Sequence, residues 1–434
     1  MTIARLPCAF VLACLCGGAA AYPIDGFETT GIGRLDEARR IQEGTRTGTK
    51  QPRGALLSIE QVDIRLAGRP DFAIPAPDPE LSAQVRALLG DKADRYNIAL
   101  LDLSDPQRPV YAEHNARELR NPGSVGKLLV ALAFFQALAD LYPDDIEARK
   151  RLLRDTEVTA DDFVLTDHHT VRNFDPATGV LVRRQLLPGD KASLWEYMDW
   201  MISASSNSAA AAVMKELMLL RRFGREYPVP AARANAYLRE TSKSQLRTDL
   251  LDAMLPPVTR SGLDLAQFRQ GSFFTRTGKR HVSGTSSHGN AHEILKFLLL
   301  MEQGRLVDEF SSREIKRLMY QTERRIRYAS SPVLFGDAVY FKSGSLFECK
   351  PEPDFRCRPY QGNIKNFMNS AAIVESPAGE RKLHYLIGLM SNVLRRNSAV
   401  DHQALAGRLH RLLQQRHGLV KPAPTSSAGP STEE

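Results

Sequence analysis

One segment constrains the fold of this 434-residue chain more than any other, because it is apolar on nearly every side of a helix from Leu128 to Leu141. Such a helix must lie inside a folded domain or a membrane. Its most apolar part, Leu128 to Leu138, is too short to cross a bilayer. Lys127 is the only charged residue between Ser124 and Ala139. The sequence therefore predicts a central, buried helix with a cation at its head, and that cation requires a chemical reason.

Ser124 stands three residues before Lys127, so the two side chains share one face of a helix. A lysine that burial keeps partly neutral can take the proton of such a hydroxyl and activate it as a nucleophile. Pro122-Gly123 ends the preceding loop, which places Ser124 in the first turn. There a backbone N–H and the positive end of the helix dipole favour a developing oxyanion. The alternative is a serine cap followed by a lysine that faces solvent.

A second motif, Ser205-Ser206-Asn207, places a hydroxyl close to an amide. Ser205 is suited to relay a proton to a leaving nitrogen. Asn207 is suited to orient a substrate amide and to hold Lys127. The alternative is a helix cap, because serine and asparagine are good N-caps and residues 209–220 have the pattern of a helix.

A third motif, Lys342-Ser343-Gly344, follows the apolar residues 339–341, which have strand character. Lys342 and Ser343 would bind a substrate carboxylate, and Gly344 would let the backbone approach closely. The N–H of Ser345 would be a second oxyanion donor beside that of Ser124. The alternative is an ordinary exit from a strand into a turn.

Each motif occurs once and in this order, and on these residues the chain resembles the penicillin-recognising serine hydrolases, above all the class A β-lactamases, from Leu81 to Gln415. The resemblance implies an acyl-enzyme and no cofactor or metal. It implies Ser124 as nucleophile, Lys127 as its base and Ser205 as proton relay. It also implies that the substrate is held by Asn207, Lys342, Ser343, Gly344 and Ser345.

The order of predicted elements is helix, strands, helices, strands, helix, which is typical of an α+β fold. Strand character occurs at residues 96–103, 110–113, 339–342, 368–374 and 383–389. We therefore expect an antiparallel sheet built from both chain ends with an inserted all-α region, as in β-lactamases and transpeptidases. Residues 161–184 are predicted to be a polar loop within that region. A closing helix is predicted at residues 400–416.

Two departures from the class A pattern bear on turnover. Ser206 replaces the usual aspartate of Ser-Asp-Asn, a form common in transpeptidase-type penicillin-binding proteins. Residues 261–284, which correspond to the loop that carries the deacylating glutamate, contain Asp264, Gln267 and Gln270 but no glutamate. A missing general base costs about 10²–10⁴ in rate. We therefore expect slow deacylation.

The N-terminus is typical of a signal peptide, residues 1–21. Arg5 precedes a short apolar run, and small residues end at Ala21, where cleavage is expected. The protein would then be periplasmic or secreted. A lipoprotein attached at Cys14 ranks second. Residues 22–80 are predicted to be an extension with a Pro-rich linker, residues 81–417 the hydrolase domain, and residues 418–434 a disordered tail.

After signal removal only Cys349 and Cys357 remain, which in an exported protein favours a disulfide. No cysteine or histidine spacing matches a zinc site, and His168-His169 is expected to lie in a loop without a ligand role. The net charge of +8 is scattered rather than gathered into a basic patch, so a nucleic-acid partner is not expected. No stable membrane span is expected once the signal is removed.

Together these features predict an exported serine hydrolase that is acylated on Ser124 by a β-lactam-like or peptide-like carbonyl. Two alternatives remain open. One is a cell-wall D,D-peptidase or esterase that uses the same chemistry on small-molecule or peptidoglycan-peptide substrates. The other is a sensor or scaffold that binds β-lactams or peptidoglycan without hydrolysis.

Overall fold

The structure, a computed structural model, describes residues 24–323 and 325–421. Its centre is a five-stranded antiparallel sheet with the strand order β2-β1-β11-β10-β9. The first two strands come from the start of the domain and the other three from its end, so the predicted α+β fold is confirmed. The predicted signal peptide lies outside the described residues, as do residues 422–434 of the predicted tail.

The bounds of the elements follow the chain. The helices are α1 Phe27–Thr30, α2 Gly33–Glu43, α3 Pro79–Ala87, α4 Lys127–Leu141, α5 Ile146–Asp155, α6 Leu194–Ile202, α7 Asn207–Phe223, α8 Ala231–Glu240, α9 Lys243–Met254, α10 Pro256–Arg260, α11 Arg276–His281, α12 Ala291–Glu302, α13 Glu309–Tyr320 and α14 Ser398–Arg416. The strands are β1 Tyr96–Asp102, β2 Val110–His114, β3 Glu157–Thr159, β4 Val171–Phe174, β5 Leu181–Arg184, β6 Lys191–Ser193, β7 Phe268–Arg269, β8 His288–Gly289, β9 Ala338–Glu348, β10 Lys365–Ser376 and β11 Leu383–Asn392.

The sheet is covered on both faces, which explains why its inner strands have apolar residues on both sides. One core, formed with α3 and α14, contains residues such as Leu81, Ile387 and Leu409. The other core contains Leu101, Leu386 and nearly all of the inserted helices. A sheet with both faces buried needs near-continuous apolar strands, and β11 has that pattern.

Helix α4 lies in the middle of the second core, as its composition predicts. Every residue from Lys127 to Leu138 is buried. The helical stretch Gly123–Leu141 is the one segment of the described chain whose length and hydropathy would suit a membrane span, and 78% of that span is buried inside the protein. The surrounding helices therefore cover its apolar surface.

The segment predicted as a polar loop, residues 161–184, contains the hairpin β4–β5, so that prediction is wrong in part. Val171 and Phe174 are buried, while the two residues between them are half-buried. Gly179 has a φ of +71°, which the tight turn requires. The strands are only four residues long, and a pattern this short is weak in the sequence.

Residues 24–79 pack against the domain along their length. Arg34 pairs with the fully buried carboxylate of Asp199. Arg65 pairs with Glu375 of β10, which also accepts a hydrogen bond from Lys316 of α13. These buried charges satisfy one another and fasten the extension to both the sheet and the helices.

Candidate active site

Ser124 lies in a 3-10 turn, Gly123–Gly126, that leads directly into α4. The α-helix itself begins at Lys127, so the helix prediction is correct and its first turn is tighter than expected. The turn packs against β9 at Gly344, where a Cβ atom would come within 2.6 Å of the backbone nitrogen of Ser124. Gly344 therefore permits the close backbone approach that the motif predicts.

Lys127 is buried, and its amine is held from three sides. Nζ lies 2.8 Å from Ser124 Oγ, and it donates to the carbonyl oxygen of Ser205 at 2.9 Å and to Asn207 Oδ1 at 2.7 Å. Burial lowers the pKa of Lys127 to about 7, although the Asp167 carboxylate acts to raise it. An amine with this pKa is partly neutral at neutral pH and can accept the serine proton.

The Ser205-Ser206-Asn207 motif forms the turn before α7. Ser205 has a φ of +60°, a strained conformation that clusters at functional sites. Ser206 is the N-cap and accepts from Ala209 N, so the helix-cap alternative holds for this residue. Asn207, the first helical residue, turns its amide oxygen to Lys127. The motif thus combines a cap with two side chains that line the same pocket as Ser124.

The Ser205-Ser206-Asn207 motif contains no carboxylate, but the carboxylate of Asp167 contacts it. Its Oδ2 accepts from the backbone N–H groups of Asn207, at 2.7 Å, and Ser208, at 3.0 Å, and from Ser206 Oγ. Sequence reasoning missed this role, because Asp167 is about forty residues from the motif and nothing local distinguishes it.

The third motif lies on the edge strand β9, beside the 3-10 turn. Lys342 is buried and donates to Ser205 Oγ at 2.7 Å, and burial holds the pKa of this amine well below its usual value. Ser343 and Ser345 stand two residues apart and therefore on one face of the strand. Lys127, Ser205 and Lys342 form a chain of hydrogen-bonding groups that runs from Ser124 toward β9.

Arg327 is a further residue of the site that sequence reasoning missed. Its guanidinium donates to Ser343 Oγ at 2.6 Å and to Ser345 Oγ at 3.2 Å, and it stacks on the ring of Tyr360. It precedes β9 by eleven residues in an arginine-rich stretch, which is the sole signal that the sequence offers. Arg327 gives this end of the pocket a fixed positive charge suited to a carboxylate.

A pocket of about 730 Å³ opens over Ser124, Ser205 and Asn207. No aspartate or glutamate lines it among the described residues. Its other end is bounded by Arg327 and by apolar side chains beyond Ser345 on β9, namely Leu346 and Phe347. Cys349 and Cys357 form the predicted disulfide just past this strand, with Cα atoms 6.3 Å apart.

The loop at residues 261–284 places no carboxylate over the site. Asp264 is exposed, and Gln267 Oε1 accepts from Asn290. Gln270 lines the pocket and packs on Gly126, where a Cβ atom would collide with its amide. The ring of Phe274 lies 4.5 Å from Lys127 Nζ. The loop therefore covers the lysine with an aromatic face.

His168 and His169, which were expected to have no ligand role, also line the pocket. His169 Nδ1 lies 2.6 Å from Asp167 Oδ1, and burial lowers the pKa of this imidazole despite the carboxylate. They reach the site through the same loop as Asp167.

Comparisons with known proteins address the family and the fold. The Beta-lactamase enzyme family matches residues 80–409. A β-lactamase from Sphaerobacter thermophilus superposes with a TM-score of 0.50 at 13% identity, covering 80% of this chain and all of that one. The structure named PBP-A gives 0.47 at 14% identity, over 80% of this chain and all of that one. At 13% identity the Sphaerobacter thermophilus match shows the fold alone. A search of curated proteins returns no match.

The family match spans the sheet, the buried helix and all three motifs, and the fold agrees with it. The chain therefore belongs to the Beta-lactamase enzyme family, and it is a serine hydrolase related to the class A β-lactamases.

Proposed function

We propose that this protein is an exported enzyme that forms an acyl-enzyme on Ser124 with β-lactam-like or peptide-like carbonyl substrates and releases the acyl group slowly. The observation that carries the proposal is the contact between Ser124 Oγ and the buried amine of Lys127, whose pKa is about 7. That pair combines a nucleophile with a base that is partly neutral at neutral pH.

The remaining groups fit the steps of acylation. The proton of Ser124 passes to Lys127 as Oγ attacks the carbonyl carbon, and the N–H groups of Ser124 and Ser345 receive the oxyanion. Ser205, which contacts both lysines through its carbonyl and hydroxyl, delivers a proton to the leaving nitrogen. Asn207 offers its amide nitrogen to the substrate, because its oxygen is held by Lys127.

The substrate carboxylate is assigned to Lys342, Ser343, Ser345 and Arg327. Arg327 donates to the hydroxyls of Ser343 and Ser345, and it lines the pocket together with Ser345. The planar guanidinium can hold a carboxylate through two hydrogen bonds. The edge strand β9 also offers its backbone to an extended peptide. These features suit a β-lactam, and they suit equally the terminal carboxylate of a cell-wall peptide.

Slow release follows from what faces the acyl group. No described carboxylate lines the pocket, and Phe274 covers Lys127 from the loop that carries a glutamate in class A enzymes. Absence of that glutamate should lower the rate of release, at most by the factor of about 10²–10⁴ that complete loss of a general base costs. β-Lactam adducts should therefore persist for minutes or longer.

A burst experiment with nitrocefin tests the proposal. We expect about one equivalent of product at once and slow turnover afterwards, with both phases lost in Ser124→Ala. Sustained turnover of hundreds per second would refute slow deacylation. Binding without a burst would favour the sensor or scaffold, and cleavage of D-Ala-D-Ala peptides much faster than nitrocefin would favour the peptidase.

A further inference from the structure

The proposed acyl-enzyme needs a proton acceptor for the water that releases it, and the loop at residues 261–284 supplies none. Among the described residues that line the pocket, two carry an imidazole, His168 and His169, and neither has a role in the proposed acylation. The two are neighbours in the chain, but their surroundings differ.

His169 is held by a carboxylate, and His168 is not. Asp167 Oδ1 lies 2.6 Å from His169 Nδ1, while Oδ2 accepts from the N–H groups of Asn207 and Ser208. The side chain of Asp167 is 1% exposed. Burial acts to raise the pKa of Asp167, but the hydrogen bond and charge of His169, with the backbone N–H groups, hold it well below its usual value. Asp167 is therefore an acceptor only.

Because Asp167 only accepts, the proton of a neutral His169 lies on Nδ1 and the lone pair lies on Nε2. Nε2 has no hydrogen-bond partner within residues 24–323 and 325–421, and the side chain is 24% exposed where it lines the pocket. The ring is thus fixed on one edge and open on the other. Asp167 also holds Asn207, which contacts Lys127, so the position of His169 is tied to the acylation machinery.

We propose that the Asp167–His169 pair accepts the proton of the water that attacks the acyl group on Ser124, a role that rests on the proposed acylation. Water gives one proton to His169 Nε2, and its oxygen forms a bond to the acyl carbon. The tetrahedral intermediate collapses, and the bond between that carbon and Ser124 Oγ breaks. The proton held by His169 passes through solvent to Lys127, and Lys127 delivers one proton to Oγ through their hydrogen bond. The acyl group leaves as a carboxylic acid, and both bases return to their starting state.

The pH dependence follows from the groups around His169. Asp167 and His168 face it from its own loop, and Lys127 faces it from α4. Burial lowers the pKa of His169, Lys127 lowers it further, and Asp167 acts to raise it. The neutral form therefore predominates at pH 7, and deacylation should slow on acidification as His169 becomes protonated.

The test measures acylation and release separately in the mature, full-length protein with nitrocefin and with intact-mass spectrometry of a penicillin adduct. His417→Gln is the matched control, because His417, which follows α14, also pairs with a buried carboxylate, Asp102 at 2.7 Å, and does not line the pocket. We expect His169→Gln to keep a burst near one equivalent and to release the adduct about 10²-fold more slowly. The rate of release in this variant should no longer fall on acidification. His417→Gln should release it at the wild-type rate.

Two further measurements separate a base from a structural residue. Added imidazole should restore release in His169→Ala, and the preserved burst shows that the variant is folded. EDTA should leave release unchanged, although Asp167, His168 and His169 are close enough to hold a metal ion.

Wild-type release in His169→Gln would overturn the proposal, as would equal losses in both histidine variants or a loss in EDTA. Absence of a burst in the wild-type protein would instead remove the acyl-enzyme, and the proposed function would fail with it.

Discussion

Lys127 is buried because α4 is buried, and a buried ammonium is costly unless its partners compensate. The protein compensates in part with Asn207 and the carbonyl of Ser205, and for the rest the pKa falls to about 7. In the proposed mechanism, the cost of burying one cation is thus what would make Ser124 reactive.

The rate of acylation should therefore rise with pH through about 7 and level off above it, since the neutral amine is the base. The initial burst rate with nitrocefin, followed between about pH 6 and pH 8, measures this. Lys127→Ala should lose about 10²–10⁴ in that rate. Lys279→Ala, which changes an exposed lysine on the same pocket, should not. A flat profile in this range would argue against Lys127 as the base.

Arg327 should determine the preference for substrates that carry a carboxylate. A hydrogen bond to a charged group is worth about 1.5–3 kcal/mol, which corresponds to about 10- to 100-fold. Arg327→Gln should lower kcat/KM for acylation by that factor with a penicillin, and should change it little with the penicillin methyl ester. Arg276→Gln, an exposed arginine on α11, serves as the control. An equal loss with acid and ester would show that Arg327 acts only on the fold.

The site residues that lie in sequence motifs could be predicted, and those outside the motifs could not. Ser124 and Lys127 are recognisable because their spacing and the apolar helix constrain each other. Asp167, His169 and Arg327 reach the site from segments whose local pattern is that of an ordinary polar loop. Their roles depend on contacts between distant parts of the chain, which no local pattern encodes.

Among the elements, those with strong apolar patterns were predicted best. Strands β9, β10 and β11 occur where expected and extend further than predicted. Hairpin β4–β5 was missed because its strands are short and partly exposed. The disulfide was predicted by counting cysteines rather than by pattern, and it closes the loop just after β9.

That disulfide should stabilise the end of β9 near the pocket. Closing a loop of this length contributes about 2–3 kcal/mol in the absence of strain. The free energy of unfolding of the double variant Cys349→Ser/Cys357→Ser should be lower by that amount, so the variant should unfold at a lower denaturant concentration. Thiol titration of the unfolded, unreduced wild-type protein should find almost no free thiols. Two reactive thiols in the mature protein would refute the bond.

The molecule as a whole needs both ends of the hydrolase domain to complete one sheet, because β1 pairs with β11. Residues 24–79 add buried contacts, including the pairing of Arg65 with Glu375. The sequence predicted an extension here but not its packing, since the carboxylate partners of Arg34 and Arg65 lie more than 160 residues away.

We expect the chain to be exported after cleavage of its N-terminal segment. N-terminal sequencing of protein from the cell envelope should begin near Tyr22, because the small residues before it suit signal peptidase. Retention of Met1 in a cytoplasmic fraction would contradict export, and a lipid-modified Cys14 would establish the lipoprotein alternative.

Acylation of Ser124 is the step on which the proposed function depends, and peptide mapping after reaction with a β-lactam tests it most directly. We expect a single adduct on the peptide that contains Ser124, and no adduct in Ser124→Ala. An adduct on another residue, still formed in Ser124→Ala, would contradict it.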